Sequence, residues 1–189
     1  MKTALITGAS RGLGEAIARL LTERGYSVLT PSHAELDISD PASIARFKVD
    51  HLDVLINNAA VLGATLSEAV EVNVMGAALL THQVWRRLMS NGGRVINISS
   101  REGLTGWFGN RHYSVSKVAL NVLTRATALN YPSDGVEVCA CCPGWFRSKL
   151  GGIIAPRLPG DAADTPVWLA TEATDINGKF YIDRKVVPW

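Results

Sequence analysis

An α/β fold built on a doubly wound parallel sheet is predicted by two features of the chain. Short apolar runs rich in Val, Ile and Leu alternate with longer stretches of helical spacing, the pattern of β-α-β units around a sheet buried on both faces. The first such run, Thr3-Ala4-Leu5-Ile6-Thr7, passes directly into Gly8-Ala9-Ser10-Arg11-Gly12-Leu13-Gly14 and then into a helix. In sheets of this kind ligands bind beyond the carboxyl ends of the strands.

Taken in order, a strand at Thr3–Thr7 leads to a helix over Gly12–Arg24, with Ile17, Leu20 and Leu21 as its apolar positions. Ser27–Thr30 reads as a strand, a short piece near Leu36 as another, and Pro41–Val49 as a helix. Val54–Asn57 is the next strand, followed by one long helix over Ser67–Ser90. Then come a strand at Arg94–Ile98, a helix over Tyr113–Asn130, a strand at Val136–Cys141, a short helix near Ala163–Ala170 and a strand at Lys179–Ile182. There is no repeat or low-complexity tract. The stretch from Gly151-Gly152 to Gly160-Asp161 is too short to separate domains and reads as a mobile loop over the site. Residues 1–189 are therefore expected to form a single domain, a size that can bury one core.

The chain is 47% hydrophobic and 19% charged, with a formal charge of +2, neither the profile of disorder nor the basic excess of a nucleic-acid binder. A small-molecule ligand is expected, with no nucleic-acid partner. No charged leader and cleavage site precede the first strand, and no apolar run approaches the ~20 residues of a membrane-spanning helix. A soluble, cytoplasmic protein with no membrane partner is the expectation. Cys139, Cys141 and Cys142 match neither a disulfide framework nor a paired zinc motif; they read as reduced strand residues, and no metal site is expected.

The glycine turn has a physical reading of its own. Gly8 permits a tight turn, Gly12 lets the backbone approach a pyrophosphate, and Gly14 lets the helix pack closely on the strand, leaving helix amides directed at phosphate oxygens. Tyr113 and Lys117 stand four apart on one helix, so their side chains rise from one face. A free tyrosine titrates at ~10, and an adjacent ammonium is expected to pull that value down and make Tyr113 a usable acid/base.

The spacing Gly-x-x-x-Gly-x-Gly resembles the short-chain dehydrogenase/reductase family. So do Leu36-Asp37-Ile38, Asn57-Asn58-Ala59-Ala60, the Asn-Ile-Ser-Ser run ending at Ser100, Tyr113-Ser114-Val115-Ser116-Lys117 and Pro143-Gly144-Trp145-Phe146-Arg147-Ser148, all in the family's order. The resemblance implies a Rossmann-like sheet and a nicotinamide-dependent oxidoreductase. It assigns Gly8, Ser10, Arg11, Gly12, Leu13 and Gly14, with Tyr113 and Lys117, to cofactor binding, Asp37 and Ile38 to the adenine, and Asn58 and Ala59 to the middle of the groove. Pro143, Gly144, Phe146 and Ser148 would hold the nicotinamide end. Tyr113 would move a proton, Lys117 would also bind the nicotinamide ribose, and Ser100, second of its pair after Ser99, would orient the carbonyl oxygen. Asn73, an odd choice on an apolar helix face, reads either as a hydrogen-bonded core group or, by the resemblance, as a residue whose backbone carbonyl shares a proton-relay water with Lys117.

Asp37 also reads as a turn cap before Pro41, and Asn57-Asn58 as a strand end. Ala60 departs from the family's usual glycine. The segments between the second and fourth strands and after Pro143-Gly144 are short, which implies an abbreviated substrate lid. Asp164 through Ala170, Gly178-Lys179-Phe180 and the final Pro188-Trp189 resemble the tail of carbonyl reductases in this family. Trp107, Phe108, Trp145 and Phe146 are candidates for an apolar pocket wall, or plain core; His112 reads as a surface or packing residue, as do His33, His51 and His82.

The expected substrate is a small carbonyl compound or alcohol, with a non-catalytic dinucleotide-binding sensor as the alternative, and dehalogenation disfavoured by Lys117 and the intact glycines. NADP is expected over NAD, because the second strand ends Leu29-Thr30-Pro31-Ser32-His33 without a carboxylate while Arg11 stands ready for a phosphate; Glu35 swinging in to serve the ribose is the competing reading. Apolar residues on more than one stripe of the two long helices suggest a homodimer or larger homo-oligomer, although the tail resembles monomeric relatives.

Overall fold

The computed structural model describes residues 1–89, 92–105, 110–130 and 135–189. One seven-stranded sheet organises them, with strands β1 (Thr3–Ile6), β2 (Ser27–Leu29), β3 (Val54–Asn57), β4 (Arg94–Ile98), β5 (Glu137–Cys142), β6 (Phe180–Ile182) and β7 (Lys185–Val187). Their order across the sheet is β2-β1-β3-β4-β5-β6-β7. All neighbours run parallel except β7, which pairs antiparallel with β6.

The helices are α1 (Gly12–Glu23), α2 (Pro41–Arg46), α3 (Leu66–Val70), α4 (Ala77–Met89), α5 (Glu102–Thr105), α6 (Arg111–Asn130), α7 (Pro159–Ala162) and α8 (Asp164–Thr171). They cover both faces, as continuous apolar strands require. Ala4 and Ile6 of β1, Ile56, Ile96, Cys139 and Cys141 pack with Leu13, Ile17 and Leu21 of α1 and Val167 of α8. The alternating residues Leu5, Leu55, Val95 and Val138 join Ile44 of α2 and Leu80, Val84 and Leu88 of α4 on the other side. Period-two alternation along each strand thus feeds two separate cores. No helix among the described residues is long and apolar enough to cross a membrane.

Three readings of the sequence are corrected. The piece near Leu36 is not a strand: Leu36 N donates to Ser32 O, Ser39 closes a turn on Asp37 and Asp40 caps α2 through Ala42 N and Ser43 N. Local polar side chains capture this backbone before it can pair with β2, leaving three-residue β2 as the sheet edge. The long helix over Ser67–Ser90 is interrupted by a π segment at Glu71–Gly76, whose wider turn delivers Asn73 and Gly76 to their partners; Ser90 lies outside the described residues. The Gly151–Asp161 stretch is not a loose lid. Phe146 and Arg157 form a bridge, as do Ser148 and Gly152, and Arg157 donates to Pro143 O and pairs with Asp183 at 2.7 Å.

Candidate functional site

Because β1 to β6 are parallel, their carboxyl ends share one edge, and the residues singled out in the sequence collect along it. At the β1 end, Gly8 and Gly12 adopt φ of 64° and 61°, left-handed values open to glycine at little cost. A side chain on Gly14 would meet Gly8 O at 2.5 Å and Asn58 Nδ2 at 2.6 Å, so only glycine lets α1 seat there. One on Gly12 would meet nothing within 4 Å, so the backbone is open to a ligand at that point. Arg11 is the N-cap of α1, extended and exposed; Ser10 is exposed, while Leu13 turns inward to the core.

The β3 end is tied to this turn. Asn58 Nδ2 donates to Thr7 O at 2.8 Å and Gly8 O at 3.0 Å, and Thr7 Oγ1 accepts from the backbone of Asn58 and Ala59. Beneath it runs a buried polar row: Asn57 donates to Thr81 and Asn97, and Asn97 to Thr124.

The β4 end and α6 supply the titratable groups. Asn110 Oδ1 accepts from His112 N and Tyr113 N, so α6 begins two residues earlier than its spacing suggests and Tyr113 stands in its first turn. Lys117 is buried, its Nζ donates to Ile98 O at 2.8 Å and lies 5.4 Å from the Tyr113 ring centroid. Ser100 hydrogen-bonds with the Tyr113 side chain and accepts from Glu102 N. Ser99, its neighbour, is buried and donates to Asn121 Oδ1; of the pair, Ser100 is the one that reaches Tyr113.

The electrostatics overturn the expected softening of Tyr113. Burial pushes the phenol up, and the Glu102 carboxylate adds to that shift. Burial disfavours the charged phenolate, and the bond to Ser100 offsets that only in part. Lys117 is itself pushed down to about 8 by burial, which weakens its hold on a proton and thus its influence.

Other residues take plainer positions. Asn73 Oδ1 accepts from Val61 N, and its Nδ2 donates to Val61 O and Ser116 Oγ, so the side chain pins the chain after β3 to α6. Asp37 accepts from Ser39 and is held below the usual carboxylate range by it, in keeping with the turn reading. Ile38 O backs onto Gly76, where a side chain would meet it at 2.4 Å. Pro143 is buried at the β5 end; Gly144, at φ 80°, lies under the Arg157 guanidinium. Phe146 packs against the core on the α1 side, and Ser148 Oγ accepts from Gly151 N. Trp145 is exposed, with its Nε1 on Gly151 O; Trp107 and Phe108 lie outside the described residues. A surface groove of about 550 Å³ beside Leu20, Arg24, Asp161 and Asp164 shares no residue with the Tyr113 cluster.

Sequence reasoning passed over Thr7, Asn110, Glu102 and Arg157, and read Cys142 only as a reduced strand residue, the position it takes at the end of β5. Cys142 Sγ accepts from Gly144 N, and burial pushes its thiol up. Asn110, three residues before Tyr113, carried a cap signal that could have been read.

The comparisons with known proteins accord with this edge. The family model described as short chain dehydrogenase matches residues 32–156. Carbonyl reductase [NADPH] 1 of Sus scrofa is 29% identical over all of this chain and 94% of its own. Oxidoreductase UcpA of Escherichia coli (strain K12) is 31% identical, over 82% of this chain and 73% of its own. Among solved structures, a short chain dehydrogenase/reductase family oxidoreductase from Brucella ovis, crystallised with a partially ordered NAD, superposes with a TM-score of 0.78 at 25% identity, covering 95% of this chain and 97% of its own. A family match over more than half of the sequence, on a sheet whose parallel strand ends gather glycine turn, serine, tyrosine and lysine, means that this chain belongs to the short chain dehydrogenase family.

Proposed function

We propose that the protein interconverts a carbonyl compound and an alcohol with a nicotinamide dinucleotide, Tyr113 moving the proton. The observation that carries this is the convergence of Ser100, Tyr113 and Lys117 at one strand edge, with Lys117 buried and tethered to Ile98 O. The cofactor fits the residues present, since the backbone at Gly12 is bare and the first amides of α1 are available to phosphate oxygens. When bound, the reduced nicotinamide supplies the hydride to the carbonyl carbon. Ser100 orients the carbonyl oxygen, Tyr113 Oη delivers its proton there, and Lys117 binds the nicotinamide ribose. A phenol held protonated suits donation. Asn73 keeps the backbone of the π segment registered against α6, where its carbonyl and Lys117 lead the proton outward.

NADPH is the preferred cofactor in this reading. Glu35, the carboxylate that could serve a ribose, is drawn back onto its own turn, its Oε2 accepting from both Ser32 N and Ser32 Oγ at 2.8 Å. The Sus scrofa relative is named for NADPH, whereas the Brucella ovis structure holds NAD.

The test is consumption of NADPH against a panel of ketones, aldehydes and quinones. Tyr113→Phe is expected to bind cofactor normally and to lose at least ~100-fold in turnover. Wild-type turnover in that variant overturns the mechanism; tight cofactor binding with no turnover on any carbonyl favours a dinucleotide sensor. The same reading includes a homodimer through the apolar surface formed by Val115, Val118 and Val122 of α6 and Met75 of the π segment, all exposed. Light scattering at micromolar concentration is expected to give twice the chain mass, and a clean monomer mass refutes it.

A further inference from the structure

We infer that Arg157 is a positioning residue for the crevice: its side chain clamps the Pro143-Gly144 turn to the β6–β7 hairpin and so holds in place the wall that meets the nicotinamide half of the cofactor. The inference rests on the reading of the site as one for a nicotinamide dinucleotide, and deepens it.

The turn borders the reacting groups. Strands β4 and β5 pair Ile98 with Cys141, and Ser99 N donates to Cys141 O at 2.8 Å, so Ser100 and Pro143 leave adjacent strands at the same level. Lys117 Nζ sits on Ile98 O beside them. The glycine turn after β1 lies on the other side of β3 and β4, so a dinucleotide whose phosphates rest on that turn reaches Pro143-Gly144 with its far end.

Gly144 gives the turn little stiffness of its own. It takes φ 80°, a region glycine enters and leaves freely, and its N–H donates to a weak acceptor, Cys142 Sγ. Arg157 supplies what is missing. Its Nη1 donates to Pro143 O at 3.2 Å, and the guanidinium covers Gly144 so closely that a side chain there would meet Nη1 at 2.8 Å, Cζ at 2.9 Å and Nε at 3.0 Å.

Both ends of the clamp are fixed. The backbone of Arg157 bridges Phe146, and its O accepts from Arg147 N at 2.9 Å. Nη1 also donates to Asp183 Oδ1 at 2.7 Å. Asp183 and Arg184 take φ of 51° and 60°, and Arg184 ties the hairpin down through its N–H on Thr165 Oγ1 at 3.2 Å and its Nε on Asp164 Oδ2 at 2.7 Å. Left-handed backbone at such residues persists where the surroundings over-determine it, ligand clamps among them. An ion pair as exposed as Arg157–Asp183 adds little to global stability. Its effect is local: it sets how often the turn stands in its binding conformation, and a ligand that must select a rarer conformation binds more weakly in proportion.

The experiment compares full-length wild type, Arg157→Met, Arg157→Lys and Asp183→Asn. Calorimetry measures the binding of NADPH and of adenosine 2′,5′-bisphosphate, which carries the adenosine end without the nicotinamide, with NADH and ADP as a second pair. Arg157→Met keeps an unbranched stem and removes every donor. It is expected to raise the Kd of NADPH about tenfold, as when the turn is competent about a tenth of the time, and to leave that of the bisphosphate within about twofold. Asp183→Asn keeps an acceptor and a residue type that tolerates left-handed backbone; a rise of about threefold is expected, the size of one exposed ion pair. Arg157→Lys keeps the charge but not the planar fork, and is expected to fall between Arg157→Met and wild type. In turnover KM for NADPH follows Kd while kcat holds within about twofold, whereas a variant that is merely less stable loses kcat and keeps its KM. Should Arg157→Met not fold, Asp183→Asn decides. Unchanged Kd for NADPH in the folded variants, or an equal loss for dinucleotide and bisphosphate, overturns the clamp. A loss confined to the dinucleotide in a protein that reduces no carbonyl supports the clamp and refutes the reductase reading; a wild type that binds no dinucleotide overturns both.

Discussion

On the β1 side of the crevice, position is set by backbone contact: Gly14 sits where a side chain would strike Gly8 O and Asn58, and Asn58 holds the carbonyls of Thr7 and Gly8. On the β4 side, position is set by polar side chains, buried at Lys117 and Ser99 and half-buried at Glu102: Lys117 on Ile98 O, Ser99 on Asn121, Glu102 on Ser114. Steric exclusion shapes the first wall, whereas the second keeps ionisable groups in a medium that resists charge. The first therefore tolerates few residue types but is indifferent to pH. The second tolerates apolar replacement in the fold, yet depends on pH through Lys117 and Tyr113.

Lys117 gives the larger test of that contrast. Burial lowers it to about 8 from an ordinary 10.5, so between those values the unfolded chain binds the proton that the folded chain has released. Stability then rises with pH across the window from about 8 to 10.5. Below it the full cost of a buried ammonium is present, offset in part by the bond to Ile98 O. Lys117→Met, similar in length and apolar, is expected to abolish turnover while raising stability at pH 7 by about 2 kcal/mol, the order implied by a shift of about two and a half units less a lost hydrogen bond. The gain should shrink as pH rises through the window. Urea melts at pH 7 and pH 10 measure both, and a variant less stable at pH 7 would mean that a partner compensates the charge and that the two walls are not so different.

The same contrast explains what could be read beforehand. The glycine turn was legible because its spacing is a steric statement, and the central strands Val54–Asn57 and Arg94–Ile98 fall where their apolar runs end. Tyr113 and Lys117 were legible as a pair, but the direction of the Tyr113 shift was not, since it depends on burial and on Glu102, eleven residues upstream and brought near by α5. β7 was missed because its hairpin turn carries none of the usual glycine or asparagine signals. Asp183 and Arg184 both take positive φ there, a strained choice held by Arg184 on Asp164 and Thr165. The π segment was missed because helical periodicity alone does not separate a wide turn from an ordinary one. Leu36 is apolar and buried, but the hydroxyl and carboxylate groups flanking it favour turns over a ladder.

The smaller test lies on the first wall, where contacts are steric except at one residue. Arg11 caps α1 from an extended conformation with its side chain in solvent, so its removal should leave the glycine turn in place. The glutamate that could serve a bare ribose is occupied: Ser32 holds Glu35 through both N–H and hydroxyl, and those bonds lower its titration, which keeps the carboxylate charged and bound to its own turn. A 2′-phosphate near Arg11 gains a charge-assisted bond that a 2′-hydroxyl does not. Arg11→Ala is accordingly expected to raise the Michaelis constant for NADPH about tenfold, near the energy of one exposed charged hydrogen bond, and that for NADH less than twofold. Equal efficiency with NADH in the unmutated protein would refute the preference and leave the Tyr113 chemistry standing. An equal rise for both cofactors would place Arg11 on the shared pyrophosphate instead, making it part of the steric turn rather than an exception to it.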